Sequence, residues 1–155
     1  MAKLSDRVTR VLAADCGYNT LAEVIEAKSD KDVGDLVSVV GDTKADPAHR
    51  QRAAFVLGRL GAKSAADPLS RAAPKAADGA RIAIADALGR IGGAKARDAL
   101  VKLSGDKAAH VRKFAAKGLG RIGDKKALDR LRVMTSEDSA PFVRSVAKKA
   151  LPVAK

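Results

Sequence analysis

The chain has 155 residues, is 46% hydrophobic and carries a formal net charge of +12. That length allows one folded unit with its own core, and no run is apolar and long enough to span a bilayer, which excludes an integral helical membrane protein. The opening MAKLSDRVTRVLAADC puts charges where a secretion signal needs its apolar stretch, and the single cysteine, Cys16, has no internal disulfide partner, so a reducing, cytoplasmic setting is expected.

The charge is uneven. Residues 1–45 hold 6 basic and 8 acidic side chains, for −2, so the remainder carries +14. In chain order, LSDRVTRVLAADC, TLAEVIEAK and DKDVGDLVSVVGD each predict a helix, with N-caps at Ser5 or Asp6, Asn19 or Thr20, and Ser29 or Asp30. LVSVV is the only strand-like run, and its flanking Gly34 and Gly41 and its spacing suit a helix better.

From residue 46 a beat sets in. LGRLG at Leu57–Gly61 returns as LGRIG at Leu88–Gly92 and again at Leu119–Gly123, at a constant interval of 31 residues. Ala53, Val56, Leu57 and Leu60 are spaced as one apolar helix stripe, as are Ile84, Ala87, Leu88 and Ile91, and Ala115, Gly118, Leu119 and Ile122. Gly61, Gly92 and Gly123 supply the left-handed residue that ends a helix. Gly58, Gly89 and Gly120 lie inside it, where each costs about 1 kcal/mol relative to Ala, so a steric role is expected: bare backbone for a neighbouring helix.

Each stop is followed by a shorter pattern: Ala65 and Leu69; Ala96, Leu100 and Leu103; Ala127, Leu131 and Met134. Asp67, Asp98 and Asp129 are expected in the first turn of these second helices, where the helix dipole favours negative charge. The breakers PKAADG and SGDKAA then lead into the next long helix. One beat is a helical hairpin, which cannot bury its stripe alone, so hairpins must stack. At the end, DSAPFVRSVAKKALPVAK reads as another first helix, stopped by Pro152 and capped by Lys148, Lys149 and Lys155.

The units DPAHRQRAAFVLGRLGAKSAADPL and VRKFAAKGLGRIGDKKALDRLRVM resemble the short bacterial HEAT-like repeats found in phycobilin lyase subunits, over roughly residues 46–151 and more loosely 20–41. The resemblance implies an all-α, right-handed α-α superhelix. The whole chain is then one solenoid, with 1–45 a diverged repeat and cap and 46–151 the regular repeats and terminal cap. Alanine, glycine and arginine richness also fits a bacterial source.

Arg50, Arg81, Arg112 and Arg144 recur at the start of the long helices and are expected to form a structural ladder with Asp46, Asp78 and Asp106. Arg59, Arg90 and Arg121 form a second ladder, with guanidiniums about 10 Å apart if hairpins stack at the usual helix spacing, a row suited to phosphates or carboxylates. The second helices, which the resemblance places on the inner face, offer Arg71, Lys95, Arg97, Lys102, Lys126, Arg130 and Arg132. These and the second ladder make up the candidate binding surface.

Two motif matches do not stand. GLGRIG (Gly118, Gly120, Gly123) spells a dinucleotide fingerprint but closes a helix instead of opening one, and GRLGAKS near Gly58 lacks the adjacent Gly-Lys and the preceding strand of a phosphate loop. His49, His110 and Cys16 have no metal-ligand spacing, so no metal, cofactor or catalytic residue is expected.

The expected function is a non-catalytic scaffold holding an acidic protein segment on a basic surface. Sequence-nonspecific binding of nucleic-acid backbone is the alternative. Against base stacking, aromatic content is 3% and Phe55, Phe114 and Phe142 read as scattered. The resemblance adds a bilin lyase subunit or chaperone, and the opposite charge of the two ends adds head-to-tail self-association.

Overall fold

The computed structural model describes residues 3–13 and 29–154. Cys16, Tyr18, the helix expected over TLAEVIEAK with its Asn19 or Thr20 cap, and Lys155 lie outside the described residues. Within them the elements are α1 (Asp6–Ala13), α2 (Asp30–Gly41), α3 (Pro47–Leu60), α4 (Ala66–Ala72), α5 (Asp78–Ile91), α6 (Gly93–Leu103), α7 (Ala109–Ile122), α8 (Lys125–Glu137) and α9 (Pro141–Ala150). Short 3₁₀ turns at Lys63–Ala65 and Ala73–Lys75 flank α4, and no strand occurs among the described residues. LVSVV lies inside α2.

The local chemistry explains the boundaries. Ser29 caps α2 by accepting from the Asp32 N–H, and Asp46 caps α3 by accepting from Ala48 and His49, with Pro47 in the first turn. Ser5 accepts from the Val8 N–H at the head of α1. Gly61 and Gly123 end α3 and α7 in the left-handed conformation, with φ of 60° and 65°. Gly92 departs from the expected stop. Its φ is also positive but its ψ is −171°, because α6 begins at the very next residue. Leu151 is extended ahead of Pro152, so α9 ends at Ala150.

The stripes do what their spacing dictates. Ala53, Val56, Leu57, Ile84, Ala87, Leu88, Ile91, Ala115 and Leu119 are buried, with Leu69, Leu100, Leu131 and Met134 of the second helices against them. Leu60 and Ile122, at the ends of the stripes, pack against this core while partly exposed. Two rows result. The first helices α3, α5, α7 and α9 stack in succession with extensive contact, and the second helices α4, α6 and α8 stack with less. The chain is an all-α solenoid.

The internal glycines set that closeness. A Cβ on Gly58 would lie 2.6 Å from the Ala87 Cα, one on Gly89 2.5 Å from the Gly118 Cα, and one on Gly120 2.8 Å from the Ala150 Cβ. Successive first helices therefore touch backbone to backbone.

One expectation fails locally. Only Asp67 sits in the first turn of its helix, because α6 starts at Gly93 and α8 at Lys125, earlier than the pattern suggests. Asp98 and Asp129 lie further along and serve as ion-pair partners, while Asp124 takes the capping place on α8, accepting from the Ala127 N–H at 2.9 Å.

Candidate binding surface

Of the arginines at the start of the first helices, Arg50 and Arg81 are buried and Arg112 and Arg144 half-buried. Arg81 is 8% exposed and binds Asp106 of the following loop through Nε at 2.9 Å and Nη2 at 3.2 Å, with Asp78 at 2.8 Å and the Ala76 carbonyl at 2.7 Å. Arg112 grips Asp138 in the same way, at 2.8 and 3.0 Å. Arg144 donates to the Asp138 carbonyl, and Arg50 donates to the carbonyls of Val40 and Lys75. The ladder is structural, but its acids come mainly from the loop of the next hairpin. Asp46 caps its own helix, and Asp106 binds Arg81, not Arg112 through its carboxylate. The hydrogen bonds from Arg112, helped by the Ala140 N–H and the Arg112 charge, outweigh burial and hold the Asp138 carboxyl below its ordinary value.

The second ladder is on the surface and is not uniform. Arg59 lies over the Phe55 ring, 5.1 Å from its centroid. Arg90 and Arg121 share one carboxylate, Asp86, at 2.8 and 2.9 Å. Asp86 stands one turn before Arg90 on α5, and Arg121 repeats Arg90 one beat later, so a single acid on one helix clamps guanidiniums from two. Burial opposes the Asp86 charge, but the hydrogen bonds from Arg90 and Arg121 prevail and hold its carboxyl below the ordinary value.

The candidate cations of the second helices are mostly engaged. Arg71 pairs with Asp67 at 2.7 Å, Arg97 with Asp98 at 3.1 Å and Asp124 at 2.7 Å, Lys126 with Asp98 at 3.0 Å, and Arg132 with Asp129 at 2.7 Å. Arg130 donates to the buried Ser104 hydroxyl at 2.6 Å. Lys95 and Lys102 are exposed, Lys102 beside the Arg81–Asp106 pair.

Charge therefore separates between the two rows. The second helices α4, α6 and α8 carry eight cations and four acids: Asp67, Asp98, Asp129 and Glu137. The first helices α3, α5, α7 and α9 carry twelve cations, of which the four ladder arginines are bound internally and eight remain, against two acids, Asp78 and Asp86, both already engaged with arginine. Uncompensated positive charge belongs to the first-helix side.

The same side carries a groove of about 360 Å³ lined by Gln51, Phe55, Ile82, Ala83, Asp86, Arg90, Phe114, Lys117 and Arg121. Lys113 and Lys117 approach the Phe114 ring at 5.4 and 5.2 Å. Two phenylalanines that look scattered in sequence thus line one groove, while Phe142 stands apart against His110, ring centroids 5.2 Å apart. Sequence reasoning picked out Arg90 and Arg121 but missed Asp86, Phe55, Phe114 and Lys117. The signal was available: Phe55, Asp86 and Lys117 occupy one position of the 31-residue beat and differ at every turn of it.

Among the described residues no three His, Cys, Asp or Glu side chains gather into a metal-binding group, and no helix is long and apolar enough to cross a membrane. His49 and His110 belong to different first helices, α3 and α7.

Stacked antiparallel helix pairs with a repeated, glycine-tightened seam define a helical-repeat solenoid of the kind that serves as a protein-interaction scaffold. Residues 35–107 and 75–152 match the family model for HEAT repeats, and the chain belongs to that family. No curated protein matches the sequence significantly.

Proposed function

We propose that the protein is a non-catalytic scaffold that holds an acidic segment of a partner protein against its first-helix face. The observation that carries this reading is the division of charge: with the four internally bound ladder arginines set aside, eight cations to two acids on the first helices, against eight to four on the second. A surface of one sign steers an oppositely charged partner towards it and raises its rate of encounter. The stacked hairpins hold that surface in a fixed geometry, so little ordering cost falls on the scaffold when it binds. Membership of the HEAT repeats supports a scaffold over an enzyme. Arg59, Arg90 and Arg121 form the centre of the surface, and the paired second-helix cations, from Arg71 to Arg132, contribute to solubility and stacking.

A polyanion titration separates this from binding to nucleic-acid backbone. Labelled polyglutamate and a random duplex of equal charge are titrated with the protein from 50 to 300 mM salt. The expected result is polyglutamate binding that outlasts duplex binding as salt rises. Duplex affinity that exceeds polyglutamate affinity throughout, with the steep salt slope of phosphate neutralisation, would assign the surface to nucleic acid instead.

A further inference from the structure

The groove on the first-helix side is built from unlike parts. Its floor is apolar, made by Phe55, Ile82, Ala83 and Phe114, and its rim is cationic, made by Arg90, Lys117 and Arg121. Arg90 and Arg121 each spend one nitrogen on Asp86, so the remaining donors of both guanidiniums are oriented but not consumed. Its volume, about 360 Å³, lies at the small end of ligand pockets, enough for one bulky apolar side chain with its flanking backbone. The groove crosses three first helices, a span of about two helix spacings or 20 Å. An extended chain covers that in about six residues.

The polarity of the rim selects acid, and the floor asks for something that acid alone does not supply. A nucleobase would stack on the two rings, yet Arg59 lies over Phe55 and two lysines approach Phe114, so stacking would first displace those cations. An aliphatic or aromatic side chain from a peptide needs only the floor between them.

We infer that the groove between α3, α5 and α7 takes a short linear segment of a partner protein in which one large apolar side chain is flanked by carboxylates. The apolar group lies on Ile82 and Ala83, between the Phe55 and Phe114 rings, and the carboxylates pair with Arg90, Arg121 and Lys117. Asp86 is a positioning residue: it holds two arginines from successive hairpins at one place. This rests on the acidic-partner reading above and sharpens it, since a purely electrostatic surface would not distinguish apolar side chains.

Fluorescence anisotropy with three labelled nine-residue probes tests it on the full chain. One probe is all glutamate with a central leucine, the second has alanine there, and the third is a single-stranded oligonucleotide of equal charge. The variants are Ile82→Gln on the floor, Arg121→Gln on the rim and Lys102→Gln on the second helices, each first checked for an unchanged helical melting profile. The leucine probe is expected to bind about tenfold tighter than the alanine probe. Ile82→Gln should erase that preference while leaving the alanine probe's affinity in place. Arg121→Gln should weaken both peptides, and Lys102→Gln neither. Equal binding of the two peptides to the unaltered protein overturns the groove and leaves the electrostatic reading standing. So does a leucine preference that survives Ile82→Gln or vanishes in Lys102→Gln. Oligonucleotide binding that is tighter than the leucine probe and lost in Ile82→Gln overturns the peptide as occupant. Absence of binding by both peptides overturns the groove and the acidic-partner reading together.

Discussion

Arg112 and Asp138 meet through two parallel hydrogen bonds, 2.8 Å from Nε and 3.0 Å from Nη2, and so tie the start of one first helix to the loop before the next. Arg81 and Asp106 repeat the arrangement one hairpin earlier. One further step back the pattern breaks. The position equivalent to Asp106 is Lys75, and Arg50, 5% exposed, makes do with its carbonyl while its Nη2 has no hydrogen-bond partner. An unsatisfied buried donor is expensive.

Lys75→Asp should restore the missing rung. Because the lysine is exposed and a carboxylate there would answer a buried guanidinium, stability should rise by about 1.5–3 kcal/mol, the range for a hydrogen bond to a charged group. The converse change, Asp106→Ala, strips a largely buried arginine of its main acid and should cost about 2–3 kcal/mol, somewhat less than full loss of a buried pair because Asp78 remains. Urea unfolding of the two variants reads both. A Lys75→Asp protein no more stable than the parent would show that the Arg50 donor is already satisfied.

The glycines provide a paired test of the seam. Gly89→Ala gains about 1 kcal/mol of helix propensity but drives a Cβ to within 2.5 Å of the Gly118 backbone, which cannot swing away. Helices must separate, and a net loss of about 2–3 kcal/mol is expected, as for overpacking. Gly34→Ala on α2 meets nothing within 4 Å and should stabilise by about 0.5–1 kcal/mol. Thermal melts of the two, side by side, should move in opposite directions. Stabilisation by both would mean that the first helices do not touch as described.

Acid should loosen the structure at identified places. The hydroxyl hydrogen bonds from Ser29 and Ser5, helped by Arg7 and against the effect of burial, hold the Asp32 carboxyl below its ordinary value of 3.8, and Asp86 and Asp138 are likewise lowered. A carboxyl whose folded pKa is depressed stabilises the fold above its unfolded value, and that contribution is lost as pH falls through the folded one. Stability should therefore be nearly level from pH 7 to about 5 and decline below about 4. Asp138→Asn should flatten part of that decline, as read from denaturation midpoints at pH 7, 5 and 3. A steeper decline in the variant would refute the assignment.

Much of this was legible in the residues because a repeat states its geometry several times over. The i, i+3, i+4, i+7 stripe of Ile84, Ala87, Leu88 and Ile91 fixes which helix face is inside, and the glycine one turn from each helix end implies close contact before any neighbour is seen. What the beat could not disclose is which hairpin supplies a partner. Asp106 sits beside Arg112 in sequence but answers Arg81 in space, since hairpin stacking brings the next loop under the previous helix. Asp86 was invisible for the same reason: its bond to Arg121 spans one beat plus one helical turn. Some second-helix pairs are local, Arg71 with Asp67 and Arg132 with Asp129, but others reach across hairpins in a way that sequence proximity does not show, Asp124 for Arg97 and Asp98 for Lys126.

The claim that binding belongs to the first-helix face can be tested at constant net charge. Arg59→Gln, Arg90→Gln and Arg121→Gln, combined with Asp86→Asn so that no carboxylate is left unpaired, remove the same net charge as Lys95→Gln with Lys102→Gln on the other row. Polyglutamate affinity of the two proteins at equal salt is the measurement. The first set should weaken binding at least about tenfold and the second less than about threefold, differences of roughly 1.4 and 0.6 kcal/mol. Equal losses would mean that total charge, not its placement, governs binding, and a larger loss from Lys95 and Lys102 would move the surface to the second helices.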